Sequence, residues 1–139
     1  MKPIVAVSTP VGAGAISIVR MSGDGVLDIA RRLFSCKEDI TPRKVILGTF
    51  SYNGINEKCL LVYFKAPHSY TGEDIVEFQC HGGELLTREV LNALINNGAR
   101  LAENGEFTKR AFLNGKVSLD SAEGIIDVIN AGTEAELKA

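Results

Sequence analysis

Apolar positions along this chain come in short runs, separated by glycine-rich or polar turns. IVAVS (4–8) has the length and composition of a buried strand. AISIVRM (15–21) predicts a second strand whose alternation places Ile16, Ile18 and Arg20 on one face. SGDGVLDIARRLFS (22–35) changes to a helical period. Ser22 or Asp24 is the expected cap, with a stripe of Leu27, Ala30 and Phe34 flanked by Val26 and Leu33. RKVILGTFSYNGINEKCLLVYFKAP (43–67) predicts a hairpin folded on Asn53-Gly54, because a type I′ turn needs positive φ at both central residues. That fold sets Leu47 opposite Leu60, Val45 opposite Val62 and Ile46 opposite Leu61. Both faces are then apolar, so the ribbon is either covered on both sides or lies at a subunit interface.

After the polar loop HSYTGED (68–74), IVEFQC (75–80) predicts a strand with Ile75, Glu77 and Gln79 on one face and Val76, Phe78 and Cys80 on the other. HGG (81–83) opens a helix with a Leu86, Val90, Leu94 stripe, Leu91 and Ile95 beside it, and Gly98 as its stop. ARLAE (99–103) reads as a further short strand. Asn104-Gly105 is a turn. FTKRAFL (107–113) is about two helical turns, with Phe107, Ala111 and Phe112 toward the core. Asn114-Gly115 ends it, and Lys116 follows at once. Ser118 or Asp120 then caps a last helix with stripe Ala122, Ile125, Ile126 and Ile129, and Asp120 with Glu123 has capping-box spacing. That apolar stripe needs a partner: the sheet, another subunit or, the favoured reading, a second helical domain.

The 139 residues suit one ordinary domain. Net charge is −2, which disfavours a domain built chiefly to coat nucleic acid. The three cysteines, Cys36, Cys59 and Cys80, are odd in number and lack a CxxC spacing, so reduced thiols in a cytosolic protein are expected. The opening MKPIVAVSTP is too short for a signal or membrane segment, so the chain reads as soluble and cytoplasmic.

Candidate chemistry is sparse. TPVGAG (9–14) lacks the Gly-Lys-Ser/Thr end of a phosphate loop and lies between two strands. It is a glycine turn, or a place where a ligand or partner backbone approaches closely. His81 beside Cys80 makes a poor metal site, because neighbours on a strand point oppositely; the Gly82-Gly83 helix start instead suits an anion. Glu73 and Asp74 are expected as turn acceptors. Arg20 is either a strand-end arginine reaching water or a guanidinium held to clamp a carboxylate. Glu77 either accepts hydrogen bonds from an amidine-like edge such as a pterin's, or pairs with Arg20 or Lys116.

Three separated stretches, IVAVSTPVGAGAISIVRMSG, HSYTGEDIVEFQCHGG and NGEFTKRAFLNGKVSLDSAEGIIDVI, closely resemble the N-terminal region of the MnmE/TrmE family of tRNA modification GTPases, in order and at matching spacing. The resemblance implies an α+β fold similar to tetrahydrofolate-binding aminomethyltransferase domains. Its sheet is mixed and mostly antiparallel, with helices packed on it. Residues 1–117 would form the folate-binding and dimerisation domain, and 118–139 the start of a helical domain. It further implies a homodimer that binds 5-formyltetrahydrofolate through Arg20, Glu77 and Lys116. GTP, Mg²⁺ and K⁺ would belong to a G domain absent from this chain. MnmG (also GidA), a flavin-dependent protein, would be the partner, and the wobble uridine of tRNA the substrate. A purely structural dimerisation module is the alternative. Valine in TPVG, Asn104 before GEF and Cys80 before HGG depart from the common family pattern but leave the three site residues in place. No GTPase motif occurs, so neither GTP hydrolysis nor tRNA modification is expected of this chain alone.

Overall fold

The computed structural model describes residues 1–8 and 16–125. The TPVGAG loop, and the expected stripe positions Ile126 and Ile129, lie outside those residues. The fold is α+β. Strands β1 (Ile4–Val7), β2 (Ile16–Ser22), β3 (Phe34–Cys36), β4 (Ile46–Tyr52), β5 (Ile55–Phe64), β6 (Ile75–His81) and β7 (Arg100–Leu101) form one sheet in the order β3-β4-β5-β6-β2-β1-β7. All neighbours are antiparallel except β1 and β7. Helices α1 (Val26–Leu33), α2 (Glu84–Asn96) and α3 (Glu106–Leu113) complete it, and residues 119–125 are also helical. No helix among the described residues is long and apolar enough to cross a membrane.

The hairpin forms as the Asn53-Gly54 pair predicts. Asn53 has φ 48° and Gly54 φ 79°, and Leu47 opposes Leu60 while Ile46 opposes Leu61. One face of the sheet holds Val5, Val19, Met21, Leu61, Val76 and Phe78, and α1 and α2 cover it. Phe50 meets Phe78 edge-on at 5.2 Å within this core. Gly48 is required there, since a Cβ would collide with the Phe34 ring and the Ser35 carbonyl.

Several local expectations are corrected. Helix α1 starts behind Gly25 at φ 77°, without a side-chain cap. Ser22 is the last residue of β2, and Asp24 binds the Met1 amino group at 2.9 Å instead. Ile29 joins Val26, Ala30 and Leu33 on the buried stripe, while Leu27 is only half-buried. Phe34 leaves the helix to open β3, because its place is on the sheet opposite Phe50. In α2 the buried line is Thr87, Val90, Ala93 and Leu94, with Leu86 half-buried; Thr87 turns inward to bond Ser17 at 2.9 Å. The strand expected over 99–103 is confined to β7. In α3, Phe112 is exposed, and Thr108 and Arg110 take the buried positions beside Ala111. Ser118 caps the last helical stretch by accepting from the Ser121 N–H at 3.2 Å, so Asp120 lies inside the helix and no Asp120–Glu123 box forms.

Candidate functional site

The second face of the sheet is graded from a covered end to an open one. Ile4, Ser22 and Ile75 stand side by side in register at the covered end, and all three are buried. The next rung is Ala6, Arg20, Glu77 and Val62. Beyond it come Ile18, Gln79, Leu60 and Leu47, then Ile16 beside His81. Exposure rises along this series: Leu47 is 60% exposed and Ile16 58%.

Arg20 and Glu77 are direct cross-strand partners on β2 and β6. The Arg20 Nε donates to Glu77 Oε1 at 2.7 Å, and Nη2 approaches the same oxygen at 2.6 Å. Of the readings open for Glu77, an ion pair with Arg20 is the one present. Both contacts fall on one oxygen. Among the described residues no hydrogen bond engages Glu77 Oε2 or Arg20 Nη1. The Glu77 side chain is 13% exposed and that of Arg20 30%, so the pair is reachable from the open side yet held by the strands beneath it.

Lys116 is placed by the end of α3. Gly115, at φ 72°, takes the left-handed position; its N–H bonds the Phe112 carbonyl, and the Lys116 N–H bonds the Ala111 carbonyl at 2.8 Å. This Schellman pattern fixes the Lys116 backbone just past the helix. The Lys116 stem lies over Gly72 in the 68–74 loop, where a Cβ on Gly72 would stand 3.4 Å from Lys116 Cε and 2.9 Å from Asn114 Cβ. Asn114 Nδ2 also donates to the Thr71 carbonyl at 2.8 Å. Lys116 is therefore brought to the loop that closes the covered end, and among the described residues it makes no ion pair with Arg20 or Glu77.

A polar lock that the sequence reading missed clamps loop and helix to the sheet. Arg110, only 4% exposed, donates to Glu73 Oε1 at 3.1 Å and to the Ser22 carbonyl at 3.2 Å. The Ser22 hydroxyl bonds Thr71 Oγ1 at 2.7 Å and Glu73 Oε1 at 2.9 Å. Glu106 joins Arg100 through two bonds, at 3.0 and 2.6 Å, and approaches Arg110 at 3.6 Å. The Arg100 guanidinium, hydrogen-bonded to Glu106, holds that carboxyl below the usual carboxylate range. Glu73 is thus an ion-pair partner, not merely a turn acceptor, whereas Asp74 does act locally by accepting from the Ala66 N–H at 2.7 Å. The signal available in the sequence was the Glu106/Arg110 spacing of i,i+4 on α3.

His81 lies 3.7 Å from Glu57, and no group of three or more metal-binding side chains exists among the described residues.

Comparison with known proteins adds a second line. Residues 3–116 match the family described as GTP-binding protein TrmE N-terminus. The chain is 50% identical over 140 residues to the tRNA modification GTPase MnmE of Aquifex aeolicus (strain VF5), covering 99% of this chain and 31% of that protein. The MnmE of Thermotoga petrophila is 48% identical over 139 residues, with 99% and 31% covered. That of Helicobacter acinonychis is 50% identical over 137 residues, with 98% and 30% covered. The chain spans just under a third of the length of these curated relatives.

Proposed function

The chain belongs to the family of TrmE N-terminal domains, and from that premise we propose that it binds a reduced folate, 5-formyltetrahydrofolate or a close relative, and pairs with a second copy of itself as part of a tRNA modification GTPase. The observation that carries this function is the one-sided Arg20–Glu77 pair. Because both arginine contacts use Oε1, the second carboxylate oxygen remains an acceptor for the N–H donors of a pterin edge. The donor set fits such a ligand: a carboxylate on a sheet face, a guanidinium holding its orientation, and an exposed lysine over the neighbouring 68–74 loop for an anionic tail. Glu77 accepts and orients, Arg20 keeps Glu77 in place, and Lys116 supplies positive charge. When bound, a formyl folate supplies a one-carbon group.

In the whole protein this module serves modification of the wobble uridine of tRNA with the flavin-dependent partner MnmG. GTP hydrolysis, with its Mg²⁺ and K⁺, belongs to the part of the relatives' length not matched here.

Self-association draws support from Ile16, Val45 and Leu47, each more than half exposed and the first and last set at the open end of the same sheet face. This patch also favours a second function, a pure assembly module without a working folate site. Calorimetric titration with 5-formyltetrahydrofolate, on protein whose mass is measured by light scattering, separates the two. A dimer with saturable heat that weakens at least about tenfold in Glu77→Ala is expected. A dimer giving no heat points to assembly alone. A monomer at micromolar concentration removes self-association.

A further inference from the structure

All three cysteines lie in one row across the sheet. Cys36 opposes Gly48, Gly48 opposes Cys59, and the Leu60–Gln79 register, continued by one residue, sets Cys59 opposite Cys80. Cys59 and Cys80 therefore project from adjacent antiparallel strands toward the same face, each 3% exposed. All three thiols are free. We propose that Cys59 and Cys80 are a modification site, a dithiol that hydrogen peroxide closes reversibly into a cross-strand disulfide between β5 and β6.

Geometry favours this pair over the other combinations. Directly opposed residues of an antiparallel ladder have Cα atoms about 4.5 or 5.5 Å apart, inside the range of about 4.4–6.8 Å that a disulfide spans. Cys36 and Cys59 are separated by the whole of β4, about 9.5 Å at two strand spacings, beyond disulfide reach. Gly48 stands between them and offers no sulfur.

The chemistry also distinguishes the two partners. The Cys59 thiol is hydrogen-bonded to Cys80; this bond pulls the Cys80 thiol below its ordinary value, against the effect of burial. The same bond, followed by burial, pushes the Cys59 thiol up. Cys80 is thus the thiol that gives up its proton more readily, and Cys59 the resolving thiol. The pair also stands one step past the last β5–β6 rung, Leu60–Gln79, and next to His81 with its 74% exposed side chain, a place where local opening admits a water-sized oxidant.

The step balances. The Cys80 thiolate attacks one peroxide oxygen, the O–O bond breaks, and hydroxide leaves with a proton as water, giving a sulfenic acid. The Cys59 sulfur then displaces the sulfenic hydroxyl, forming the S–S bond and a second water. Two thiols are oxidised and one peroxide is reduced. Two molecules of a small thiol return the pair to the dithiol: the first forms a mixed disulfide, and the second displaces it and leaves as the small-molecule disulfide.

The test is a peptide map of the folded protein after graded exposure to hydrogen peroxide, with remaining thiols alkylated in denaturant. The expected product is a monomeric species short of two hydrogens, with the Cys59 and Cys80 peptides linked, Cys36 alkylated, and the link lost on reduction. In Cys59→Ala the same exposure leaves Cys80 as a sulfenic acid that a 1,3-diketone traps. Circular dichroism checks that this variant is folded, and the wild-type map stands without it. Three free thiols at exposures that consume a reference dithiol, a link that involves Cys36, or a link formed only in denaturant would each overturn the proposal.

Discussion

Arg20 and Glu77 face each other on β2 and β6, separated by 57 positions in the chain, and both nitrogen contacts of the arginine converge on a single carboxylate oxygen. The pair is structural as well as a candidate ligand contact. Glu77→Gln removes the charge and keeps the shape. In this partly exposed position the expected loss of stability is about 1 kcal/mol, read from urea unfolding. Removal of Glu77 therefore leaves the domain folded, so a loss of folate binding in Glu77→Ala reports on the site and not on unfolding.

Arg110 carries a heavier structural load. Its side chain is 5% exposed, that of Glu73 is 11%, and both the Ser22 carbonyl and the carboxylate depend on the guanidinium. Arg110→Met leaves the Glu73 charge buried and unpaired, with an expected cost of about 3–5 kcal/mol. Denaturant midpoints check it. Adding Glu73→Gln to Arg110→Met should restore part of the loss, because the two residues share one interaction.

Acid should weaken the same lock. Hydrogen bonding to Arg100 lowers the Glu106 carboxyl below the usual carboxylate range against the opposing effect of burial, with smaller help from the Glu103 N–H and the charges of Arg100 and Arg110. A folded-state value below the unfolded one means that this stabilisation is complete above the unfolded value. It is lost as pH falls through the folded one. Melting temperatures should therefore drop as pH falls below about 4, and Glu106→Gln should flatten part of that slope. An unchanged slope in the variant would place the acid sensitivity elsewhere.

Gly72 couples the loop to Lys116. It has φ 81°, and a Cβ there meets Asn114 and the Lys116 stem. Gly72→Ala should cost about 1–2 kcal/mol through the left-handed backbone alone. It should also displace Lys116 and weaken folate binding beyond what the stability loss explains. Calorimetry at a temperature where the variant is fully folded checks the second effect.

Much of the sheet was legible from alternation and turn chemistry. Asn53-Gly54 fixes the hairpin register, and the alternation of β2 places Arg20 on the face of Ile16 and Ile18. That Arg20 and Glu77 each lie on a half-apolar face was readable. That they touch was not, since β2 and β6 become neighbours only through a non-local crossing of the sheet. The spacing of Phe34 continues the helical stripe of α1, but tertiary pairing with Phe50 overrides that period. Arg110 was missed because a charged residue on a short helix is normally solvated; its burial depends on Glu73 and Ser22, distant in sequence. The Cys59–Cys80 alignment likewise needs the β5–β6 pairing, which spacing along the chain does not reveal.

The most direct measurement of the central claim is a crystal structure of the protein grown with a reduced folate. The expected result is a pterin edge hydrogen-bonded to Glu77 Oε2, with Arg20 still on Oε1 and Lys116 turned toward the ligand's anionic groups. Ligand density away from β2 and β6, or a saturated crystal with Glu77 contacting only Arg20 and water, would contradict it.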